Sequence, residues 1–197
     1  MNDGNIDLFD AIYTMRAVRR FKPDPVPDAL LRRVLEAGGQ APSGGNRQPW
    51  RFFVIRRPEA REELRGLLRQ AAANGGTDPA GLEYFADAPV VIIVCATRGY
   101  VTGPGSVGPF GQTYPAVENI LLAARALGLG SSITTSFREA NDAFREWLQL
   151  PENLETTCLM PLGFPLGTKD SRHGKKTRSP IEDLTFEEKF GQNIVFS

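Results

Sequence analysis

The chain of 197 residues has the length of a single domain and is long enough to bury a sizeable core. Lysine plus arginine and aspartate plus glutamate each number 23, so no excess of positive charge favours binding to nucleic acid. The longest purely apolar run, Val90–Ala96, is far shorter than the roughly 20 residues of a membrane-spanning helix, and the acidic N-terminal residues lack a secretory signal, which together indicate a cytoplasmic protein without a membrane partner.

The N-terminal half is predicted to alternate between helices and two strands. Apolar residues at helical spacing predict helices over 6–15, from Pro27 to Gly38–Gly39 and over 58–73, with a short helix over 83–88. β-branched and aromatic residues predict strands over 51–57 and 90–96, the second one buried on both faces. Three prolines within residues 21–27 predict an extended connection after the first helix.

The C-terminal half begins with a glycine-rich stretch, residues 98–114, which is predicted to be a lid or binding loop. Helices are expected over 116–127 and 138–148, a short strand or turn over 131–135 and a strand over 157–162. A basic loop, 163–179, and an apolar and acidic tail, 179–197, complete the chain. Because helices and strands do not alternate regularly, the pattern favours the α+β class. The aromatic residues of the tail must be covered by their own domain or by a partner subunit.

The cysteines and the histidine argue against two kinds of site. Cys95 and Cys158 lie far apart in apolar contexts, which is typical of core thiols in a reducing compartment. His173 lies in a basic loop without metal ligands at the usual spacing, so we expect neither a zinc site nor a Ser-His-Asp hydrolase. No side chain is predicted to act as a general base or nucleophile. If the chain is an enzyme, a cofactor is expected to carry the chemistry.

A GxGxxG pattern occurs at Gly103, Gly105 and Gly108. A dinucleotide-binding turn requires a strand directly before the first glycine and a helix at the last one. Because Pro104 and Pro109 interrupt the pattern and no strand directly precedes it, we interpret it as a flexible loop.

Three further segments each have two interpretations. The cluster of Arg16, Arg19 and Arg20 is either a solvated helix end or a phosphate clamp. The small residues 41–46 form either an ordinary turn or a loop whose backbone N–H groups line a ligand. The hydroxyls of residues 131–135 either meet a heteroaromatic edge or satisfy backbone groups.

Taken together, these segments resemble the FMN-dependent nitroreductase family. The segments that carry the resemblance occur in the order and spacing of the family and extend from about Ile6 to the tail. They are MRAVRRFKPDPVP (15–27), APSGGNRQPWRFFVI (41–55), ENILLAARALGLGSSITT (118–135), LMPLGFP (159–165) and RSPIEDL (178–184).

The resemblance implies one domain over 1–197 with an α+β, nitroreductase-like fold. In such a fold a central, mostly antiparallel sheet is flanked by helices. It also implies a homodimer with FMN sites at the subunit interface, in which an extension from about residue 180 to 197 packs as an arm across the dimer.

The resemblance also implies roles for individual residues around FMN. Arg16 would bind the phosphate with Ala17 beside it, and Arg178 would give a second phosphate contact. Arg19 would lie near the N1–O2 edge of the flavin. The remaining cofactor-binding residues would be Pro42, Ser43 and Asn46 in a loop contributed partly by the other subunit, and Ile133, Thr134 and Thr135 along the ring near N5.

The sequence departs from the family pattern in two places. The family often has Arg-Arg-Ser where this chain has Met15-Arg16-Ala17, so one phosphate-binding arginine and one hydroxyl are missing. Arg20 or a residue of the basic loop could compensate, or FMN could be bound less tightly. The glycine-rich stretch 99–114 is not a shared motif, and we expect it to shape the substrate pocket.

The function implied by the resemblance is an FMN-dependent NAD(P)H oxidoreductase. NADH or NADPH would reduce flavin N5, and a small electron-poor acceptor such as a nitroaromatic or quinone would then reoxidise it in a ping-pong reaction. One alternative is a flavin-dependent reductive dehalogenase or another non-nitro reaction on the same fold, although the candidate lid 74–86 offers only Glu83 and Tyr84. Another alternative, motivated by the missing arginine and serine, is a non-catalytic flavin- or partner-binding protein.

Overall fold

A computed structural model describes residues 6–98, 108–167 and 178–194 of the chain. The described residues form an α+β fold in which helices flank a central sheet. The helices are α1 (Leu8–Thr14), α2 (Asp28–Gly39), α3 (Pro58–Asn74), α4 (Ala80–Asp87), α5 (Gly108–Ala126) and α6 (Asn141–Trp147). The strands are β1 (Trp50–Ile55), β2 (Val90–Thr97), β3 (Gly130–Ser131) and β4 (Leu154–Gly163).

The sheet is antiparallel, with the strand order β1-β2-β4-β3. The central strands β2 and β4 are buried along nearly their whole length, which explains the continuous apolar runs in their sequences. Their register shifts once, between Val94 and Cys95, where the pairing partners change from Cys158 to Thr156. The α+β class predicted from the sequence and the antiparallel, helix-flanked sheet implied by the family resemblance are therefore both confirmed.

Each face of the sheet supports its own apolar core, because successive residues of a strand point to opposite sides. Ile93 and Cys95 lie in the core that is covered by α3, α4 and α6. Ile92 and Val94 lie in the core that is covered by α2 and α5. Both free thiols are buried, and burial raises the pKa of Cys95 and of Cys158 to about 12, so both stay protonated near neutral pH.

Helices α2 and α5 approach each other closely at Gly38. A Cβ atom at this position would lie 2.8 Å from Cγ1 of Ile120 and 3.2 Å from the Phe52 ring. The neighbouring Gly39 has nothing within 4 Å of its hypothetical Cβ. Only the first of the two glycines is therefore required by packing.

The structure corrects the predicted extent of several elements. Helix α5 begins at Gly108 rather than at 116, so the last part of the predicted 98–114 loop is helical and Pro115 lies inside the helix. The beginning of the helix was missed because glycine and proline have low helix propensity. Thr113 and Ala116 are fully buried, which indicates that tertiary packing overrides the low propensity of these glycines and prolines. Of the GxGxxG glycines, Gly108 begins this helix and the other two lie outside the described residues.

The predicted helix over 138–148 is divided into a 3₁₀ turn, Ser136–Ala140, and α6. Of the short strand or turn predicted over 131–135, only Ser131 belongs to a strand, because regular pairing covers Gly130–Ser131. Thr134 instead makes an isolated bridge to Leu159 of β4. Strand β4 begins three residues before the predicted strand, at Leu154.

The described part of the tail, 178–194, lies largely in solvent. It contains a 3₁₀ turn, Ile181–Asp183, and a bridge between Phe186 and Asn193, and Phe190 is 92% exposed. Covering of this arm by a partner subunit remains a prediction. Within the described ranges no helix is long and apolar enough to cross a membrane, and no group of three or more His, Cys, Asp or Glu side chains could hold a metal ion.

Candidate flavin site

Two of the predicted site segments lie side by side at one edge of the sheet. Ala17 pairs with Ser131 in a parallel bridge, and the Val18 amide donates a hydrogen bond to the Ser131 carbonyl at 2.9 Å. The approach depends on Gly130, because a Cβ there would lie 2.7 Å from the Cβ of Val18. The arginine cluster after α1 is thereby joined to the Ser131–Thr135 segment.

The Ile133–Thr135 segment has a fixed backbone and open side chains. The amides of Thr134 and Leu159 each donate to the carbonyl of the other at 3.0 Å, and the Thr134 hydroxyl accepts a hydrogen bond from the Ser136 amide. Ile133 and Thr135 are exposed, although Ile133 directly follows the buried Ser132. The arrangement presents a rigid rim to a ligand.

A cavity of about 320 Å³ lies between the end of α1, the last turn of α5 and residues 165–167. Its lining includes Arg16, Ala17, Arg125 and Ser131. Arg16 donates to the carbonyls of Met15 at 2.7 Å and Tyr13 at 3.0 Å, which fixes its guanidinium at the C-terminal end of α1. Arg125 donates from Nε to the Thr14 hydroxyl at 3.0 Å, so a second guanidinium is fixed at the same helix end.

Buried hydroxyls without partners lie at this site. The Oγ atoms of Ser131 and Ser132 are buried and lack hydrogen-bond partners in the described chain, and the two residues are 4% and 2% exposed. An unsatisfied buried polar group costs about 1–3 kcal/mol, so such groups usually indicate a missing partner. For Ser131, which lines the cavity, a bound ligand would be that partner.

The predicted loop with Pro42, Ser43 and Asn46 forms a separate exposed structure. Its 3₁₀ turn, Gly44–Asn46, is closed by the Gln48 amide, which donates to the Ser43 hydroxyl at 3.0 Å. Gly45, Asn46 and Gln48 have φ values of 59°, 54° and 48°, a left-handed conformation in which side chains are uncommon. A Cβ on Gly44 would lie 3.9 Å from Oε1 of Gln112 in α5, so this loop lies against the beginning of that helix.

Arg19 and Arg178 are separate from the cavity. Arg19 is half-buried two positions after Ala17, and Arg178 is exposed at the beginning of the described tail. Among the described residues, the cavity lining includes neither of them. The structure therefore brings Arg16 and Ala17 next to the 131–135 segment. The cofactor-binding roles of all these residues, and those of Arg19 and Arg178, remain predictions.

Sequence analysis missed Arg125 and Arg138. Arg125 looks like an ordinary solvated residue of an alanine-rich helix. The signal was its place in the last turn of α5, directly before the turn that leads to Ser131. Arg138 follows the rim by three residues, lies 4.4 Å from the Phe110 ring and donates to Glu155 at 2.9 Å.

Tyr114 lies four residues after Phe110 on α5, and burial raises the pKa of its hydroxyl, with a smaller contribution from Cys158. Its phenol is therefore neutral near pH 7. The described end of the predicted pocket-shaping stretch, 108–114, thus places aromatic side chains beside the Arg138 guanidinium. The rest of that stretch lies outside the described residues.

Comparison with known proteins shows the family of the chain. The profile of the Nitroreductase family matches residues 12–164, and the chain belongs to this family. A protein from Archaeoglobus fulgidus, whose name gives the activities NADH dehydrogenase and NAD(P)H nitroreductase, is 35% identical over 161 residues, covering 81% of this chain and 86% of that protein. The family consists of oxidoreductases, so the predicted class of activity is confirmed at that level.

Two further similarities concern the fold and the reaction type. A structure from Desulfovibrio desulfuricans, described as a nitroreductase in complex with FMN, has a TM-score of 0.72 and 30% identity, covering 94% of this chain and 98% of that chain. An iodotyrosine dehalogenase 1 homolog from Caenorhabditis elegans is 28% identical over 198 residues, covering 90% of this chain and 60% of that protein. The predicted nitroreductase-like fold is confirmed.

The residues around the cavity fit FMN. A phosphate monoester carries close to two negative charges and accepts several hydrogen bonds. The cavity offers the guanidinium groups of Arg16 and Arg125 and the unpartnered hydroxyl of Ser131. The rim of Ile133, Thr134 and Thr135 follows Ser131 and Ser132 along the chain.

Proposed function

We propose that the protein is an FMN-dependent NAD(P)H oxidoreductase that reduces small electron-poor acceptors such as nitroaromatics or quinones. The observation that carries the proposal is the junction of Ala17 with Ser131. This junction brings the cavity lined by Arg16 and Arg125 next to the segment that continues into the exposed rim of residues 133–135. The membership of the chain in the nitroreductase family supports the same proposal. FMN, when bound, supplies a hydride acceptor at N5 that a nicotinamide reduces and an electron-poor acceptor reoxidises.

The chain's own residues would bind and orient the cofactor. Arg16 would bind the phosphate, and its hydrogen bonds to the end of α1 hold the guanidinium in place. Arg19 would lie at the N1–O2 edge, where its positive charge would stabilise negative charge on the reduced ring. The backbone of residues 133–135 is fixed by the hydrogen bonds between Thr134 and Leu159, and it would hold the N5 edge of the flavin in one position relative to the sheet.

The second part of the site would come from another copy of the chain. Pro42, Ser43 and Asn46 lie in an exposed loop that would close over the flavin of the partner subunit, and Arg178 would add a phosphate contact. Exposed apolar side chains on α1 support a homodimer, since Phe9 is 62% and Tyr13 71% exposed. An apolar groove between α1, α2 and α5 continues this surface.

The first test is an absorbance spectrum of the purified protein, followed by anaerobic addition of NADH and then NADPH. We expect a flavin spectrum that is bleached by at least one donor and recovers when a nitroaromatic or quinone is added. Protein that takes up no FMN, or bound FMN that neither donor reduces, would contradict the proposal and favour a non-catalytic binding protein.

A reductive dehalogenase is a second candidate, favoured by the similarity to the iodotyrosine dehalogenase homolog. The candidate lid gives it little support, because Glu83 is engaged by Arg69 through hydrogen bonds of 2.9 and 3.1 Å. This ion pair lowers the pKa of Glu83 and occupies its carboxylate. Halide release from a halotyrosine by the reduced holoprotein would establish this activity, and its absence would exclude it.

A further inference from the structure

The cavity at the end of α1 contains a cation and a hydroxyl that the family pattern does not predict. Two groups are missing at positions 15 and 17, where this chain has Met15 and Ala17. Met15 lines the cavity and also packs against the core on the α2 and α5 side of the sheet, but its thioether carries no positive charge that could bind a phosphate. The phosphate end of the site therefore needs a cation and a hydroxyl from elsewhere.

Arg125 supplies the cation. It lies in the last turn of α5, lines the same cavity as Arg16 and is held by its hydrogen bond to the Thr14 hydroxyl. Thr14 directly precedes Met15, so this contact fixes the Arg125 guanidinium beside the position of the missing arginine. Two guanidinium groups together balance a dianionic phosphate and offset the negative end of α1.

Ser131 supplies the hydroxyl. Its bridge to Ala17 makes the two residues backbone neighbours, so its side chain lies beside the position of the missing serine. Ser131 is one of the residues that line the cavity, and its Oγ is buried and has no hydrogen-bond partner in the described chain. A phosphate oxygen would accept a hydrogen bond from this hydroxyl. Without such a partner, the buried hydroxyl lowers the stability of the folded protein.

We propose that Arg125 and Ser131 bind the FMN phosphate together with Arg16, in place of the arginine and serine missing at Met15 and Ala17. This inference rests on the proposed FMN-dependent function. It differs from the expectation that Arg20 or the basic loop compensates, because it assigns the compensation to the end of α5 and to β3.

The test compares FMN with riboflavin, which has the same ring but no phosphate. The dissociation constants of both are measured on apoprotein by flavin fluorescence, and the ratio of the two isolates the phosphate contribution. We expect Arg125→Ala and Ser131→Ala to weaken FMN binding and leave riboflavin binding unchanged. For Arg125→Ala the loss is about 10- to 100-fold, because a hydrogen bond to a charged group contributes about 1.5–3 kcal/mol and 1.4 kcal/mol is tenfold.

Two matched controls separate local from general effects. Arg32→Ala removes the same charge from an exposed position on α2, and Ser132→Ala removes a buried, unpartnered hydroxyl that does not line the cavity. Both should keep the ratio of the wild type. Arg125→Lys should lose less FMN affinity than Arg125→Ala. Lysine keeps the positive charge but lacks the planar guanidinium that can bind a phosphate with two hydrogen bonds. The unfolding temperature of Ser131→Ala apoprotein should stay equal or rise, which excludes misfolding as the cause.

The outcomes are distinct. Wild-type protein that binds neither flavin contradicts the proposed function itself. Wild-type protein that prefers FMN to riboflavin, while Arg125→Ala and Ser131→Ala keep the same preference, contradicts this inference alone. A lower preference in both variants, with both controls unchanged, supports it.

Discussion

Met15 and Arg16 are adjacent in sequence but have different environments. Both line the cavity, but Met15 also packs against an apolar core, whereas the Arg16 guanidinium is held by two carbonyls at the end of α1. The sequence could indicate that the cluster of arginines was either solvated or functional, but not which of its side chains lines the cavity. That distinction depends on the direction in which α1 ends, which a pattern of residue types does not contain.

The functional role of the arginines can be tested directly. We expect Arg16→Ala and Arg178→Ala each to weaken FMN binding by about 1.5–3 kcal/mol, because each removes a charge-assisted phosphate contact. Titration calorimetry measures the affinity, and the unfolding temperature of the apoprotein shows that the fold persists. If FMN affinity is unchanged in both variants, these arginines are ordinary solvated residues.

Secondary structure elements were predictable where one physical signal dominates. The strand β2 is an uninterrupted run of apolar residues, and its burial on both faces follows from that run. The beginning of α5 was not predictable, since two glycines and two prolines within residues 108–115 have low helix propensity. The segment is nevertheless helical, and its Thr113 is fully buried by tertiary packing. The turn between Thr135 and α6 was missed because its amphipathic pattern also fits one continuous helix.

The contact between α2 and α5 makes a specific prediction about two adjacent glycines. We expect Gly38→Ala to destabilise the protein by about 1–3 kcal/mol, because the added methyl group overlaps Ile120 and the core must shift. Gly39→Ala, which meets no neighbour, should be neutral or stabilise by up to about 1 kcal/mol through helix propensity. Urea denaturation measures both, and equal effects at the two positions would show that the helices can separate without cost.

At the scale of the whole molecule, helix α1 exposes several large apolar side chains to solvent. Leu8, Phe9 and Tyr13 are 60%, 62% and 71% exposed, and the rings of Phe9 and Tyr13 stack at 6.2 Å. The sequence predicted a helix here, but its exposed side became visible only when the position of the core was known. This surface and the exposed tail fit the expected dimer, in which each partner would complete the other's flavin site.

The dimer can be tested through the cofactor. We expect Phe9→Glu to shift the protein from dimer to monomer in light scattering and to weaken FMN binding at least tenfold, because the partner loop with Ser43 and Asn46 is then absent. Raising the protein concentration should restore both properties together. A monomeric Phe9→Glu variant that binds FMN as tightly as the wild type would show that one chain holds the complete site.

The cavity at the end of α1 also determines when in the life of the chain a cofactor can bind. Arg125 and Thr14, which join across it, are 111 positions apart, and residues 165–167 close the same cavity. Most of the chain must leave the ribosome before these parts can meet, so the flavin cannot guide the early stages of folding. If the proposed FMN site is correct, the newly made polypeptide would reach its native form through the packing of its apolar cores, and cells short of flavin would accumulate a folded, colourless protein.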